Sequence, residues 1–205
     1  MSQITSGIYS ILSKPFLYDL FQELIGAHKY RKNFVDKFIT PYPNERILDI
    51  GCGTAKILNY LPAYISYYGF DFDNNYINAA KKYFGNRGSF FCANIAEAKF
   101  ENIKAFDTVL AIGVLHHLSD KEAKILMKLA FKKLKKGGVL ITDDPCLIKK
   151  QNRLARFLIL NDRGQKVRNL KGYQALTKNI FNNVKGKIFH RKWIPYTHWI
   201  MICKK

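Results

Sequence analysis

The sequence has little of what holds exported or metal-dependent proteins together. Its four cysteines, Cys52, Cys92, Cys146 and Cys203, are scattered through 205 residues. No CxxC pair and no Cys/His cluster at zinc spacing occurs, which argues against a disulfide framework and a structural metal site. No apolar run approaches the ~20 residues of a membrane span, and Met1–Thr5 is not a basic segment leading into an apolar core. Internal repeats and low-complexity tracts are absent. Acidic residues are scarce: 15 Asp and Glu face 34 Lys and Arg, a net charge of +19. These absences predict a protein of a reducing, cytoplasmic compartment that needs no metal.

What is present is a globular composition, 48% hydrophobic and 24% charged. A chain of this length suits one domain with an appendage and buries roughly 70% of its unfolded surface. The charge is uneven. Residues 1–45 carry a net +1, residues 46–145 a net +4 and residues 146–205 a net +14, with Asp162 as the only acid in the last stretch. Such a field favours an anionic partner. Lys outnumbers Arg by 26 to 8, however, which also fits a general bias filling solvated faces with Lys.

Residues 6–39 predict helices, broken at Pro15 and again near Gly26, and ending before Pro41. A strict alternation follows. Strands are expected at Arg46–Ile50, Ser66–Phe70, Ser89–Cys92, Thr108–Ile112 and Val139–Thr142. Helices are expected at Ala55–Leu61, Asn74–Phe84 and Asp120–Leu134, with Gly137-Gly138 ending the last. Strands alternating with helices imply βαβ units, and continuous apolar strands imply a parallel sheet covered on both faces. Beyond residue 145, Leu147–Leu160 predicts a basic amphipathic helix and 161–172 a turn-rich stretch. Tyr173–Phe181 reads as a helix, and Gly186–Trp193 with Thr197–Cys203 as an antiparallel pair around Pro195. The layout is one domain: a helical cap (1–45), a core (46–145), a basic insertion (146–172) and a closing helix with two strands (173–205).

The most informative segment runs from Ile47 to Ala55. A buried strand enters a glycine turn, Gly51-Cys52-Gly53-Thr54, that opens a helix, so a ligand can approach the backbone closely. It is not the dinucleotide fingerprint, since Lys56 stands where the third glycine belongs, and no Walker loop is present. Asp49 at the strand end would repel a pyrophosphate but suits a ligand bearing an ammonium and a sulfonium. Asp71, twenty residues after Gly51, ends the second strand, where an acid binds both ribose hydroxyls of a nucleoside. The alternative is a structural turn with a surface Asp.

The motifs DIGCGT, GFD and FDTVLAIGVLHHL resemble the class I S-adenosylmethionine-dependent methyltransferases over residues 46–145. The resemblance implies a Rossmann-like seven-stranded sheet whose last strand is antiparallel. It also implies S-adenosyl-L-methionine as cofactor and S-adenosyl-L-homocysteine as product. It places Asn94 at the adenine edge, Ile95 and Phe72 around the adenine ring, and the backbone of Ala111, Ile112 and Gly113 along the methionine portion. Ala55 departs from the family, where a third glycine is common. Arg31 is a candidate for the cofactor carboxylate, and Tyr18 and Tyr30 for closing over the site.

His116 and His117 follow the fourth strand, and one of them could take a proton from an acceptor hydroxyl or amine. Their alternative is to cap the loop and pack against Leu118. Asp143 and Asp144 end the fifth strand and could contact the acceptor or orient an imidazole; solvating a strand end is the alternative. Arg163, Arg168 and Tyr173 belong to a polar cluster in the basic insertion, where Arg163 and Arg168 could clamp a phosphate or carboxylate. The whole-chain pattern, including Asp162-Arg163-Gly164 and Ile194–His198, is similar to uncharacterised small-molecule methyltransferases of bacteria. The expectation is methyl transfer to an O or N nucleophile of a small, anionic molecule. Two rivals remain: an RNA methyltransferase using the basic C-terminal region, and a non-catalytic cofactor-binding or membrane-surface protein on the same fold.

Overall fold

The computed structural model describes residues 27–93, 105–162, 164–191 and 195–205. A central sheet is built from β1 (Arg46–Ile50), β2 (Ser66–Asp71), β3 (Gly88–Cys92), β4 (Phe106–Ile112), β5 (Leu134–Leu147), β7 (Asn183–Arg191) and β8 (Tyr196–Lys204), in the order β3-β2-β1-β4-β5-β8-β7. A two-residue strand, β6 (Arg168–Asn169), attaches to β5 off this path. Pairings from β3 to β5 are parallel, and β8 runs antiparallel to both of its neighbours. This is the Rossmann-like sheet with an antiparallel last strand that the sequence implied. The order reverses between β1 and β4, which opens a crevice at their carboxyl ends.

Each central strand is buried on both faces. Leu48, Val109, Leu140 and Met201 enter one core cluster, while Ile47, Leu110, Ile141 and Ile200 enter the other. Successive residues of a strand point to opposite faces, so a continuous apolar run serves a sheet with helices on both sides. Each such side chain contributes about 1.5–3 kcal/mol when fully buried.

Described helices are α1 (Ala27–Phe34), α2 (Asn74–Phe84), α3 (Asp120–Lys133), α4 (Arg153–Leu160) and α5 (Leu170–Thr177). α1 runs into a π-helical turn, Val35–Ile39, that stops at Thr40 in left-handed backbone (φ 48°) just before Pro41. Ser119 and Glu122 form a reciprocal capping box at the start of α3. The part of the expected N-terminal helices before Ala27 lies outside the described residues.

Four elements differ from expectation. The helix expected at Ala55–Leu61 is a short 3₁₀ turn, Lys56–Tyr60, because Ala55 takes a left-handed conformation (φ 55°). Gly137-Gly138 does not end α3; the helix stops at Lys133 and the glycines form a bulge inside β5, with Phe106 opposite Leu134 and Thr108 opposite Val139. A Cβ on Gly138 would lie 2.7 Å from the Asp107 carbonyl oxygen, so only glycine lets the chains approach this closely. β5 continues to Leu147, so α4 begins only at Arg153, where the Asn152 side chain accepts from the Leu154 and Ala155 amides. The last helix is shifted towards the N-terminus, to Leu170–Thr177, by the Asn169 side chain capping Gly172.

Candidate active site

The end of β1 carries the first half of the site. Asp49 is 3% exposed and accepts a 2.6 Å hydrogen bond from the Tyr67 hydroxyl. Burial raises its carboxyl to about 7, the Tyr67 hydrogen bond opposes the rise, and nearby Asp71 adds to it. The chain then turns sharply: Gly51 (φ 75°) and Gly53 (φ 55°) occupy backbone regions that a side chain would strain. The amides of Gly51 and Cys52 both donate to the Phe70 carbonyl, which pins the turn to the end of β2. Nothing lies within 4 Å of where a Gly53 side chain would start, so the turn borders open space.

Asp71 faces the turn from β2. One carboxylate oxygen accepts from the Gly53 amide and the other from the Asp73 amide, both at 2.9 Å. Each oxygen keeps a lone pair, so the carboxylate is held in one orientation while still able to accept two more hydrogen bonds. Its pKa is raised, chiefly by burial. No cation pairs with Asp49 or Asp71 among the described residues. Next to Asp71, Phe72 leaves 46% of its surface exposed. On the other side of β1, Ala111 of β4 is buried, and Gly113 (φ 69°), just past the strand, donates its amide to the Asp143 carbonyl at 2.7 Å. A buried pair of carboxylates around a strained turn, bordered by open space, fits a ligand with ribose hydroxyls and a positive end. Thr54, the last residue of the turn, is buried.

The end of β4 carries a polar lock. His116 Nδ1 stands 2.8 Å from Asp144 Oδ1, which also accepts the His116 amide at 3.1 Å. His116 Nε2 lies 3.4 Å from Asp162 Oδ1. Asp162 in turn accepts from the Tyr196 hydroxyl and, at 2.8 Å, from the Gly164 amide. Burial alone would lower the imidazole pKa, but the hydrogen bonds to Asp144 and Asp162 outweigh it and raise the value to about 9. Burial likewise opposes ionisation of Asp162, yet the hydrogen bond with His116 lowers its carboxyl to about 2. The two carboxylates thus favour the charged form of the His116 ring, and Asp144 orients that ring, one of the roles the sequence left open to it. The His117 ring packs against it, tilted by 40°, at 4.0 Å between centroids.

Successive residues of a strand point to opposite faces, so Asp143 builds a different cluster from Asp144. Asp143 accepts from the Tyr30 hydroxyl at 2.5 Å and lies 2.9 Å from His198 Nδ1. The Tyr30 ring packs 5.1 Å from the His198 ring, and the Arg191 guanidinium lies 5.1 Å from the Tyr30 ring. Burial and the neighbouring Asp143 keep the Tyr30 hydroxyl protonated. Arg191 has a lowered pKa, chiefly through burial, opposed by the nearby Tyr30 and Asp143 and reinforced by the charge of Arg31. His198 Nε2 is buried without a hydrogen-bond partner among the described residues. His198 and Arg191 were not among the residues singled out in the sequence, and the only signal for His198 was its place in the Ile194–His198 ending.

Of the expected clamp of Arg163 and Arg168, Arg163 lies outside the described residues and Arg168 is engaged within the protein. Arg168 donates to Asp120, to the carbonyls of Leu115 and Leu118, and to Lys166, so it fastens the β4–α3 connection rather than facing a ligand. Tyr173 is fully buried and donates to the Pro145 carbonyl at 2.8 Å. Tyr18, Asn94, Ile95 and Arg163 lie outside the described residues. Among the described residues no group of three or more His, Cys, Asp and Glu could hold a metal ion.

Residues 48–142 match the family model of a methyltransferase domain. The chain is 33% identical over 102 residues to "Probable tRNA methyltransferase 9B" of Mus musculus, covering 48% of this chain and 21% of that protein. The chain therefore spans about a fifth of the length of this curated relative. A S-adenosylmethionine-dependent methyltransferase from Archaeoglobus fulgidus superimposes with a TM-score of 0.72 at 17% identity, covering 92% of this chain and 99% of that one. The plantazolicin methyltransferase BpumL, solved with S-adenosylhomocysteine, gives 0.63 at 17% identity, covering 96% and 90%. At such identities these two structures speak for the fold.

Proposed function

We propose that the protein, whose residues 48–142 match a methyltransferase domain, is an S-adenosylmethionine-dependent methyltransferase acting on an oxygen or nitrogen nucleophile of a small, anionic molecule. One observation carries the reading: two buried carboxylates, Asp49 and Asp71, flank a glycine turn at the switch point of the sheet. When bound, S-adenosylmethionine supplies an electrophilic methyl group on a sulfonium. Asp71 would hold the ribose hydroxyls with its remaining lone pairs, and Asp49 would face the positive end. The backbone of Ala111–Gly113 would line the same pocket.

For the acceptor, Arg191, beside the Tyr30–Asp143–His198 cluster, would supply a positive charge for an anionic group. Asp143 holds His198 through Nδ1 and so fixes the direction of Nε2. That atom would take the proton from the acceptor hydroxyl or amine, while His116 positions the loop. The main work is alignment of nucleophile and methyl group with exclusion of water.

A turnover screen of anionic metabolites with labelled cofactor tests this. His198→Asn should lower turnover about 10²–10⁴-fold with cofactor affinity nearly intact. Saturating S-adenosylhomocysteine at ~100 times its dissociation constant should add about 2.7 kcal/mol of stability. Stabilisation by NAD alone would overturn the reading.

A second reading, RNA methylation, draws support from the name of the tRNA methyltransferase relatives and from the net +14 of residues 146–205. It requires affinity for total RNA that falls steeply with salt, the log–log slope approaching the number of phosphate contacts.

A further inference from the structure

α4 (Arg153–Leu160) buries Ala155 and Ile159 against the protein body. Its opposite face is apolar too: Leu154, Phe157 and Leu160 leave 52%, 62% and 61% of their surface exposed. Their spacing of i, i+3 and i+6 aligns them in one stripe. Single exposed apolar residues are ordinary, but a stripe of three large ones on two turns of helix marks an interaction surface. Exposed basic residues surround it: Arg153 and Arg156 on the helix, Lys149 and Lys150 in the turn ahead. Residues 146–161 contain no acid. Asp162, the next residue, is directed towards His116 and Tyr196.

We propose that this face docks the protein on an anionic membrane surface. Leu154, Phe157 and Leu160 enter the boundary between headgroups and acyl chains, and the four cations lie among the lipid phosphates. Charge selects this occupant. A second copy of the chain would set one basic face against another. An RNA would engage the cations but leave Leu154 and Leu160 against water, since only Phe157 offers a face for a base to stack on. No helix among the described residues is long and apolar enough to cross a membrane, so the contact is peripheral. The docked helix sits at the rim of the crevice, because Asp162, two residues beyond Leu160, contacts His116. The inference rests on residues outside the cofactor loop and stands independently of the proposed acceptor.

Cosedimentation of the full chain with vesicles of phosphatidylcholine, alone or mixed with phosphatidylglycerol, tests it. Binding is expected to the mixed vesicles only. It should weaken with salt, and each of Arg153→Ala and Arg156→Ala should lower it roughly fivefold, the equivalent of about 1 kcal/mol per cation near the surface. Leu154→Ser with Phe157→Ser should lower it about tenfold or more, with an unchanged melting temperature showing that the fold persists. Four results would overturn the proposal: no vesicle binding, equal binding to neutral vesicles, wild-type binding by the double Ser variant, or a concentration-dependent dimer or an RNA complex that the same variant abolishes. If the double Ser variant fails to fold, the two Arg variants and the neutral vesicles still decide.

Discussion

Asp49 shows how one buried group couples proton and ligand. Its carboxyl is raised to about 7, so the folded protein without cofactor holds a proton there in mildly acidic solution. A cationic ligand needs the carboxylate and must expel that proton. Linkage then predicts that S-adenosylmethionine affinity falls about tenfold per pH unit below about 7 and levels off above it. Calorimetric titration between about pH 5 and 8 measures this, and Asp49→Asn should bind more weakly with a flat profile. A wild-type profile already flat across that range would remove Asp49 from the cofactor's positive end. His116 gives a second linkage in a higher window. Its folded pKa is raised from 6.5 to about 9, so its stabilising contribution is complete below about 6.5 and is lost as pH rises through about 9. The loss is on the order of 3 kcal/mol. Denaturant titrations at about pH 7 and 9 should show it in the wild type and not in His116→Gln.

Between elements, the contact of the 162–166 segment with the β4 loop is unusually close. A Cβ on Gly164 would lie 1.9 Å from His116 Cδ2, while the Lys166 amide donates to the His116 carbonyl at 2.9 Å. Gly164→Ala should therefore cost about 1–3 kcal/mol, since the ring or the loop must move. In a His116→Ala background the cost should shrink, and denaturant midpoints of the four proteins give the coupling, expected at 0.5–3 kcal/mol. Full additivity would mean that the loop yields without disturbing the imidazole. This contact also shows where sequence reading stops. β1, α2 and the glycine turn were legible because a local pattern carries each: a continuous apolar run, helical periodicity behind Asp73, and φ-demanding glycines. Ala55 was not, because nothing local announces left-handed backbone at an alanine; only the tertiary fold holds it there. Nor was the inward turn of Arg168, which meets Asp120 across 48 residues. The Tyr30–Asp143–His198 cluster joins residues 113 and 55 positions apart: the antiparallel register of β8 brings His198 to Asp143, and the packing of α1 brings Tyr30.

At the scale of the whole molecule, the excess charge serves more than one purpose. Among the described residues β7 is an edge of the sheet, and an edge strand can template another strand. Lys185 and Lys187 are both exposed on it, opposite Ile202 and Ile200 of β8. Lysines on an edge oppose pairing between copies, so these two cations are explained without an anionic ligand. The basic face around α4 has no such edge to guard. Replacing Lys185 and Lys187 together by Thr keeps β propensity and removes two charges from the edge. The variant should self-associate in a concentration-dependent way, seen as rising light scattering at low salt, while its binding of total RNA and of anionic vesicles stays within about twofold of the wild type. An RNA footprint spread over the whole C-terminal region would give the opposite pattern: no association, and a salt slope reduced by roughly one for each lost phosphate contact.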